Sequence, residues 1–234
     1  MLILALDSTA VVASVALCRD ERTVASFTVK NGNTHSETLL PMVEAVLRSA
    51  GVTTRDVELF ACSTGPGSFT GVRIGTATIK GLAFARNACC LGVSTLEALA
   101  ENAVPTDALI CPVMNARRGQ VYNALFEQKD GALCRLTPDR AISVAELEAE
   151  LLAIGRPFVL VGDGVDEFTR LAPKTAPNAI SPLLVDQHAA SVAKIAYRRY
   201  LAGERGTDND LNPVYLRMPQ AERERLEKLK ESTQ

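Results

Sequence analysis

The chain has 234 residues, with 25 lysines and arginines against 27 aspartates and glutamates, a net charge of −2 and a pI of about 5.8. This length and a hydrophobic content of 47% describe a globular protein with core enough for one large domain or two small ones, and exclude a disordered chain. The balanced charge excludes a global positive field for nucleic acid, and no apolar run approaches the roughly 20 residues of a membrane span.

Residues 2–6 read as a short buried strand ending at Asp7-Ser8-Thr9. Asp7 interrupts the apolar start and no basic region precedes it, so a targeting segment is not expected. Strands at 11–17 and 23–29, around a polar turn at 19–22, complete an antiparallel meander. After the Asn31-Gly32-Asn33 loop, Leu39, Leu40, Val43, Val46, Leu47 and Ala50 recur at helical spacing. Pro41 confines the start of this helix and Gly51 is a natural stop. Its apolar arc is broad enough to serve the sheet on one side and a second protein on the other, or to be core throughout. A buried strand at 59–62, a glycine-rich turn at 63–70 and a helix at 71–86 follow. Gly71, Gly75 and Thr78 form a flat stripe on that helix, suited to close approach by a partner or by the chain's own sheet. A strand at 88–93 leads to Ser94, which with Glu97 predicts a capped helix to about residue 103.

Residues 105–107 mark a boundary between lobes. Beyond it, strands at 109–114, 120–127 and 132–136 form a second meander with Arg117-Arg118-Gly119 at its first turn. Those arginines would face a phosphate, a partner carboxylate or solvent. A helix at 143–153, boxed by Ser143 and Glu146, precedes a strand at 158–161 and a Gly162-Asp163-Gly164 turn. This order repeats the first half, so the chain reads as a duplicated α/β unit whose second copy is reduced. Pro173, Pro177 and Pro182 punctuate a loop. A helix at 189–201, with Val192, Ile195, Ala196 and Tyr200 on its buried side, is expected to close the second lobe, and 213–217 is extended. The divisions are 1–105, 106–218 and a charged tail at 219–234, where Glu224 and Lys228 would pair on a solvated helix. The six cysteines form no C-x-x-C pair and mostly lie in apolar runs, which predicts reduced, buried thiols in a cytoplasmic protein.

Strand, glycine turn, helix is an order in which phosphates are often held, because free N–H groups and the positive end of the helix dipole favour an anion. Gly65, Pro66, Gly67 and Ser68 form that turn here. It lacks the Gly-Lys pair of a P-loop, has Thr70 where a dinucleotide fingerprint needs glycine, and places Phe69 where a nucleophile elbow needs serine. Taken whole, GPGSFTGVRIG resembles the signature of the TsaB (YeaZ) family, the partner subunit of bacterial tRNA threonylcarbamoyladenosine synthesis. LALDST at the start, HSETLLP at 35–41, GVSTLEALA at 92–100, NARRGQVYNALF at 115–126 and PVYLR at 213–217 support the resemblance over nearly the whole chain.

The resemblance implies two ribonuclease H-like lobes of the actin, Hsp70 and sugar kinase (ASKHA) type. In such lobes Asp7, Ser8 and Thr9 would stand near phosphates and a metal, although the same residues also make a turn through side chain to backbone hydrogen bonds. It implies a non-catalytic subunit that binds and activates TsaD, which forms N6-threonylcarbamoyladenosine at position 37 of ANN-decoding tRNAs. The TsaE ATPase completes the assembly, a homodimer is expected for the free protein, and tRNA is met mainly through the complex. ATP or ADP at or near the subunit interface is the one cofactor implied. The partner face would be Leu39, Leu40, Val43, Val46 and Leu47 on one helix and Gly71, Gly75 and Thr78 on the next. In TsaD the corresponding helix carries a metal-binding histidine pair; here Leu39 stands four residues after His35, so that site cannot be built and no metal is expected. The rival readings are a self-sufficient hydrolase or peptidase using Asp7, His35 or Ser68, and a nucleotide-dependent kinase of the same fold.

Overall fold

A computed structural model describes residues 1–84, 86, 88–175 and 184–217. The charged tail, Pro177 and Pro182 lie outside the described residues.

Strand β1 (Leu2–Asp7) is buried along its whole length, and its alternating side chains feed two separate cores. Leu2, Leu4 and Leu6 face one; Ile3 and Ala5 face the other. It pairs antiparallel with β2 (Ala13–Arg19), which pairs antiparallel with β3 (Arg22–Val29). On its other side it runs parallel to β4 (Leu59–Gly65), and β4 to β5 (Cys89–Ser94), giving the order β3-β2-β1-β4-β5. Helices α1 (His35–Ser49) and α2 (Phe69–Phe84) cover one face. Thr34 and Glu37 close a capping box at the start of α1, and Gly51 at φ 66° follows its end. Pro41 lies inside α1 on its exposed side, where the carbonyl deprived of a helical N–H can reach water.

The second sheet repeats this plan. Strand β6 (Leu109–Asn115) is central and runs parallel to β11 (Phe158–Val161) on one side. On the other lie β7 (Gln120–Asn123) and β8 (Phe126–Lys129), two halves of one strand broken at Ala124 and Leu125. At the break the Leu125 N–H donates to Thr137 Oγ1 at 2.8 Å. Strands β9 (Ala132–Arg135) and β10 (Arg140–Ser143) flank these halves, so the order is again third, second, first, fourth. Helix α4 (Val144–Ile154) carries the expected Ser143–Glu146 capping box, and α5 (Val165–Leu171) follows β11. Among the described residues no strand stands beyond β11, where β5 stands beyond β4 in the first sheet. Strand β10 and helix α5 are additions to the elements expected from sequence.

Helix α3 (Thr95–Glu101) forms the seam: Ala98 packs with the first sheet, while Leu96, Leu99 and Ala100 pack with Ile110, Phe126 and Val161 of the second. Its Ser94 cap accepts the Glu97 N–H at 3.3 Å, but the Glu97 carboxylate turns to Arg199 at 2.5 Å instead of completing a box. Helix α6 (Ala189–Leu201), expected to close the second lobe, packs on the first sheet instead. Its Val192, Ala193, Ile195 and Ala196 pack on Ile3, Ala5 and Ala61, so it covers the second face of the first sheet. That face was otherwise a bare apolar surface, and burying it outweighs keeping the helix in its own half. Leu211 also returns to the first core.

Candidate functional site between the lobes

The ends of β1, β4, β6 and β11 meet a cleft of about 440 Å³ between the two lobes. On the first lobe, Asp7 is 0% exposed and both its oxygens are engaged. Oδ1 accepts the Thr9 N–H at 2.9 Å and Thr9 Oγ1 at 2.7 Å, and Oδ2 accepts a short hydrogen bond from Ser63 Oγ. Burial pushes the carboxyl pKa up, and the hydrogen bonds from Ser63 and Thr9 pull it the other way.

Each glycine of the following turn is pressed against backbone. A Cβ on Gly65, which sits at φ 122°, would strike the Val214 carbonyl; one on Gly67 would strike Thr9, and one on Gly71 the Ser8 carbonyl. Ser8 Oγ donates to the Gly71 carbonyl at 2.9 Å, Ser68 N–H donates to the Thr9 carbonyl at 2.6 Å, and Ser68 Oγ accepts the Gly71 N–H at 3.3 Å. Of the residues expected around a phosphate, Thr9, Pro66, Gly67 and Ser68 line the cleft. Asp7, Ser8 and Gly65 do not; their polar groups and close contacts hold β1, β4 and α2 together beneath it.

The same packing engages most of the residues expected on a partner face within the chain itself. Leu39, Val43, Val46 and Leu47 are buried in the first core, and Gly71 and Gly75 admit Ser8 and Leu6 of the chain's own β1 region. Thr78 is half-buried with its hydroxyl on the Ile74 carbonyl. What α1 and α2 leave outward is Leu40, half exposed, with Ala77, Gly81 and Phe84, the last 72% exposed. The periodicity could not separate Leu40 from the core set because Leu39 and Leu40 are neighbours in one broad apolar arc, and nothing in their spacing says which of them faces the sheet.

His35 Nε2 lies 2.7 Å from the Ala10 carbonyl, which fixes that nitrogen as the protonated one. Among the described residues no cluster of three metal-ligating side chains occurs.

The second lobe faces the cleft with a matching turn. Asn115 Oδ1 accepts the Arg117 N–H at 2.7 Å, as Asp7 Oδ1 accepts that of Thr9. Asp163, after β11, receives the Asn115 N–H. Its side chain opens onto the cleft, yet desolvation by the cleft walls pushes its pKa up to about 6; the Asp7 charge adds to this and the backbone donors oppose it.

Sequence reasoning did not assign the 213–217 segment a place, and it closes one end of the cleft. The Val214 N–H donates to the Thr64 carbonyl at 2.7 Å, and Tyr215 stacks on Phe69 with centroids 4.5 Å apart. Arg73 Nε donates to the Tyr215 hydroxyl at 2.9 Å with its guanidinium over Phe69, and Arg217 reaches across to the Ala116 carbonyl at 2.5 Å. Tyr215 and Arg217, two residues apart in PVYLR, were the available signal.

Two ribonuclease H-like lobes around a cleft, the first five-stranded and the second reduced, define a protein of the ASKHA class. A family model described as TsaD, tRNA N6-adenosine threonylcarbamoyltransferase, matches residues 29–211. The tRNA threonylcarbamoyladenosine biosynthesis protein TsaB of Bacillus subtilis is 30% identical over 230 residues, covering 98% of this chain and 100% of that protein. A crystal structure from Pseudomonas aeruginosa, of an uncharacterized protein with similarity to peptidase YeaZ, has a TM-score of 0.81 and 29% identity, covering 92% of this chain and 99% of that one. Component A of (R)-2-hydroxyglutaryl-CoA dehydratase from Acidaminococcus fermentans, at TM-score 0.51 and 13% identity over 86% of this chain and 99% of that one, shares the fold alone. The chain belongs to the TsaB family.

Proposed function

We propose that this chain is the non-catalytic partner subunit of the assembly that makes N6-threonylcarbamoyladenosine at position 37 of ANN-decoding tRNAs, and that it binds and activates TsaD. The observation that carries this reading is the outward edge of α1 and α2. Leu40 is exposed on α1, and Ala77, Gly81 and Phe84 are exposed at successive turns of α2, apolar or small side chains that leave room for close helix packing. Docking of TsaD on that edge would stabilise one of its conformations over others. The same edge serves a second copy of the chain when TsaD is absent. Asp7 and His35 support the non-catalytic part, since the carboxylate oxygens and the Nε2 proton are already used inside the chain.

The TsaE ATPase completes the proposed assembly, with ATP or ADP at or near the subunit interface and tRNA held mainly by the complex. The reading includes a cytoplasmic location; among the described residues no helix is long and apolar enough to cross a membrane. The test is a reconstituted reaction with TsaD, TsaE, tRNA, ATP and threonylcarbamoyl adenylate, with and without this chain. Strict dependence of modified tRNA on the chain, and none formed by the chain alone, is expected; equal product without it would overturn the reading.

A further inference from the structure

Arg117 and Arg118 both adopt left-handed backbone, at φ 63° and 57°, ahead of Gly119 at 69°. They form the tight turn of the β6–β7 hairpin, where the Gln120 N–H donates to the Arg117 carbonyl at 3.2 Å; such turns require left-handed backbone and usually take Asn or Gly, so the arginine side chains are not what the turn itself calls for. Both side chains are exposed, and among the described residues neither guanidinium has an ion-pair partner, which leaves both charges available. Arg117 lines the cleft with Arg217, and Arg73 stands on the opposite wall beside Phe69 and Tyr215. The one carboxylate among the lining residues is Asp163. In a chain of net charge −2, two arginines, Arg117 and Arg217, thus line the cleft, with Arg118 next to the first in the same exposed turn and Arg73 bonded to the hydroxyl of the lining Tyr215. In the same mouth Tyr215 remains 39% exposed.

Unpaired guanidinium groups beside an exposed aromatic ring suit a nucleic acid with unstacked bases, which offers phosphates to the first and a π-face to the second. An acidic peptide would use the arginines but gives no role to the ring. We propose that the cleft mouth is an RNA-contacting surface, with Arg117 and Arg118 on backbone phosphates and Tyr215 against an unstacked base; this rests on the tRNA-modification reading above.

The test is fluorescence anisotropy of labelled, unmodified ANN-decoding tRNA with the complex of the full chain and TsaD, over a series of KCl concentrations. The double variant R117N/R118N removes both charges with a residue that tolerates left-handed backbone, and R117K/R118K keeps them. The slope of log affinity against log salt should become shallower by about two in the asparagine variant and return in the lysine variant. Tyr215→Leu should weaken binding with the slope unchanged. An unchanged slope and affinity in R117N/R118N, or arginine-dependent binding of polyglutamate without binding of tRNA, would overturn the proposal. Co-elution with TsaD separates the two readings. If the chain co-elutes and the slope is unchanged, only this inference falls; if it does not co-elute, the functional reading falls and titration of the chain alone decides the surface.

Discussion

The two lobes build the same turn at the end of their first strand and use it differently. In the first, Asp7 is sealed, receives three hydrogen bonds and braces β1 to β4 through Ser63. In the second, the first strand ends in the exposed amide Asn115, and the carboxylate has moved to the fourth strand's turn as Asp163, open to the cleft. One fold can therefore spend its carboxylate on its own architecture or present it to solvent. The difference follows from what covers the strand ends: α2 and the 213–217 segment close over the first lobe, whereas Asn115 and Asp163 face the cleft mouth.

The sharpest break in this comparison is in the first core. Val43→Asp should cost more than about 4 kcal/mol and leave little folded protein, because it places an unpaired charge among Leu39, Val46 and Phe60. Leu40→Asp, three residues earlier on the exposed side, should fold normally and lose co-elution with TsaD. A folded Val43→Asp protein by circular dichroism would show that the core has been misassigned. Next comes the turn itself. Asp7→Ala strands the Thr9 and Ser63 donors in a fully buried site and should cost about 3 kcal/mol in urea denaturation. Asn115→Ala, at the equivalent but exposed position, should cost less than about 1 kcal/mol. Equal costs would mean that the two turns carry the same load.

Tyr215→Ala removes a ring stack and a hydroxyl acceptor at the lobe junction, and a loss of about 1–2 kcal/mol is expected. The smallest effect is on pH dependence. The Asp163 carboxyl should titrate near pH 6 by NMR. Its folded pKa lies above its unfolded value, so the native state holds the proton more tightly. The associated stability is complete below the unfolded pKa and is lost as pH rises through about 6. Asp163→Asn should flatten that part of the stability curve while the Asp7 contribution, of the same sign, remains. A slope unchanged by the substitution would assign the titration elsewhere.

Much of the fold could be read from periodicity and punctuation. The capping box at Ser143, the strand at 158–161 and the helix at 189–201 all stand where local signals put them. The destination of that last helix was not local information. Val192, Ile195 and Ala196 announce a buried face, but nothing in their spacing says which sheet receives it. Strand β10 escaped because its four residues, Arg140–Ser143, show no apolar alternation and depend on pairing with β7. At the site, Gly65, Gly67 and Gly71 were legible as close approaches, but whether a ligand or the chain itself comes close depends on residues such as Val214 that lie far away in sequence.

The crossing of α6 also imposes an order of events during synthesis. The second face of the first sheet is covered by residues 189–196, and Leu211 enters its other core. The segment from Leu109 to Leu171, by contrast, carries its own cluster within one continuous stretch. On the ribosome, the later-made lobe can therefore finish first, while the earlier-made lobe must wait, with Ile3, Ala5 and Leu59 uncovered, until nearly the whole chain has emerged.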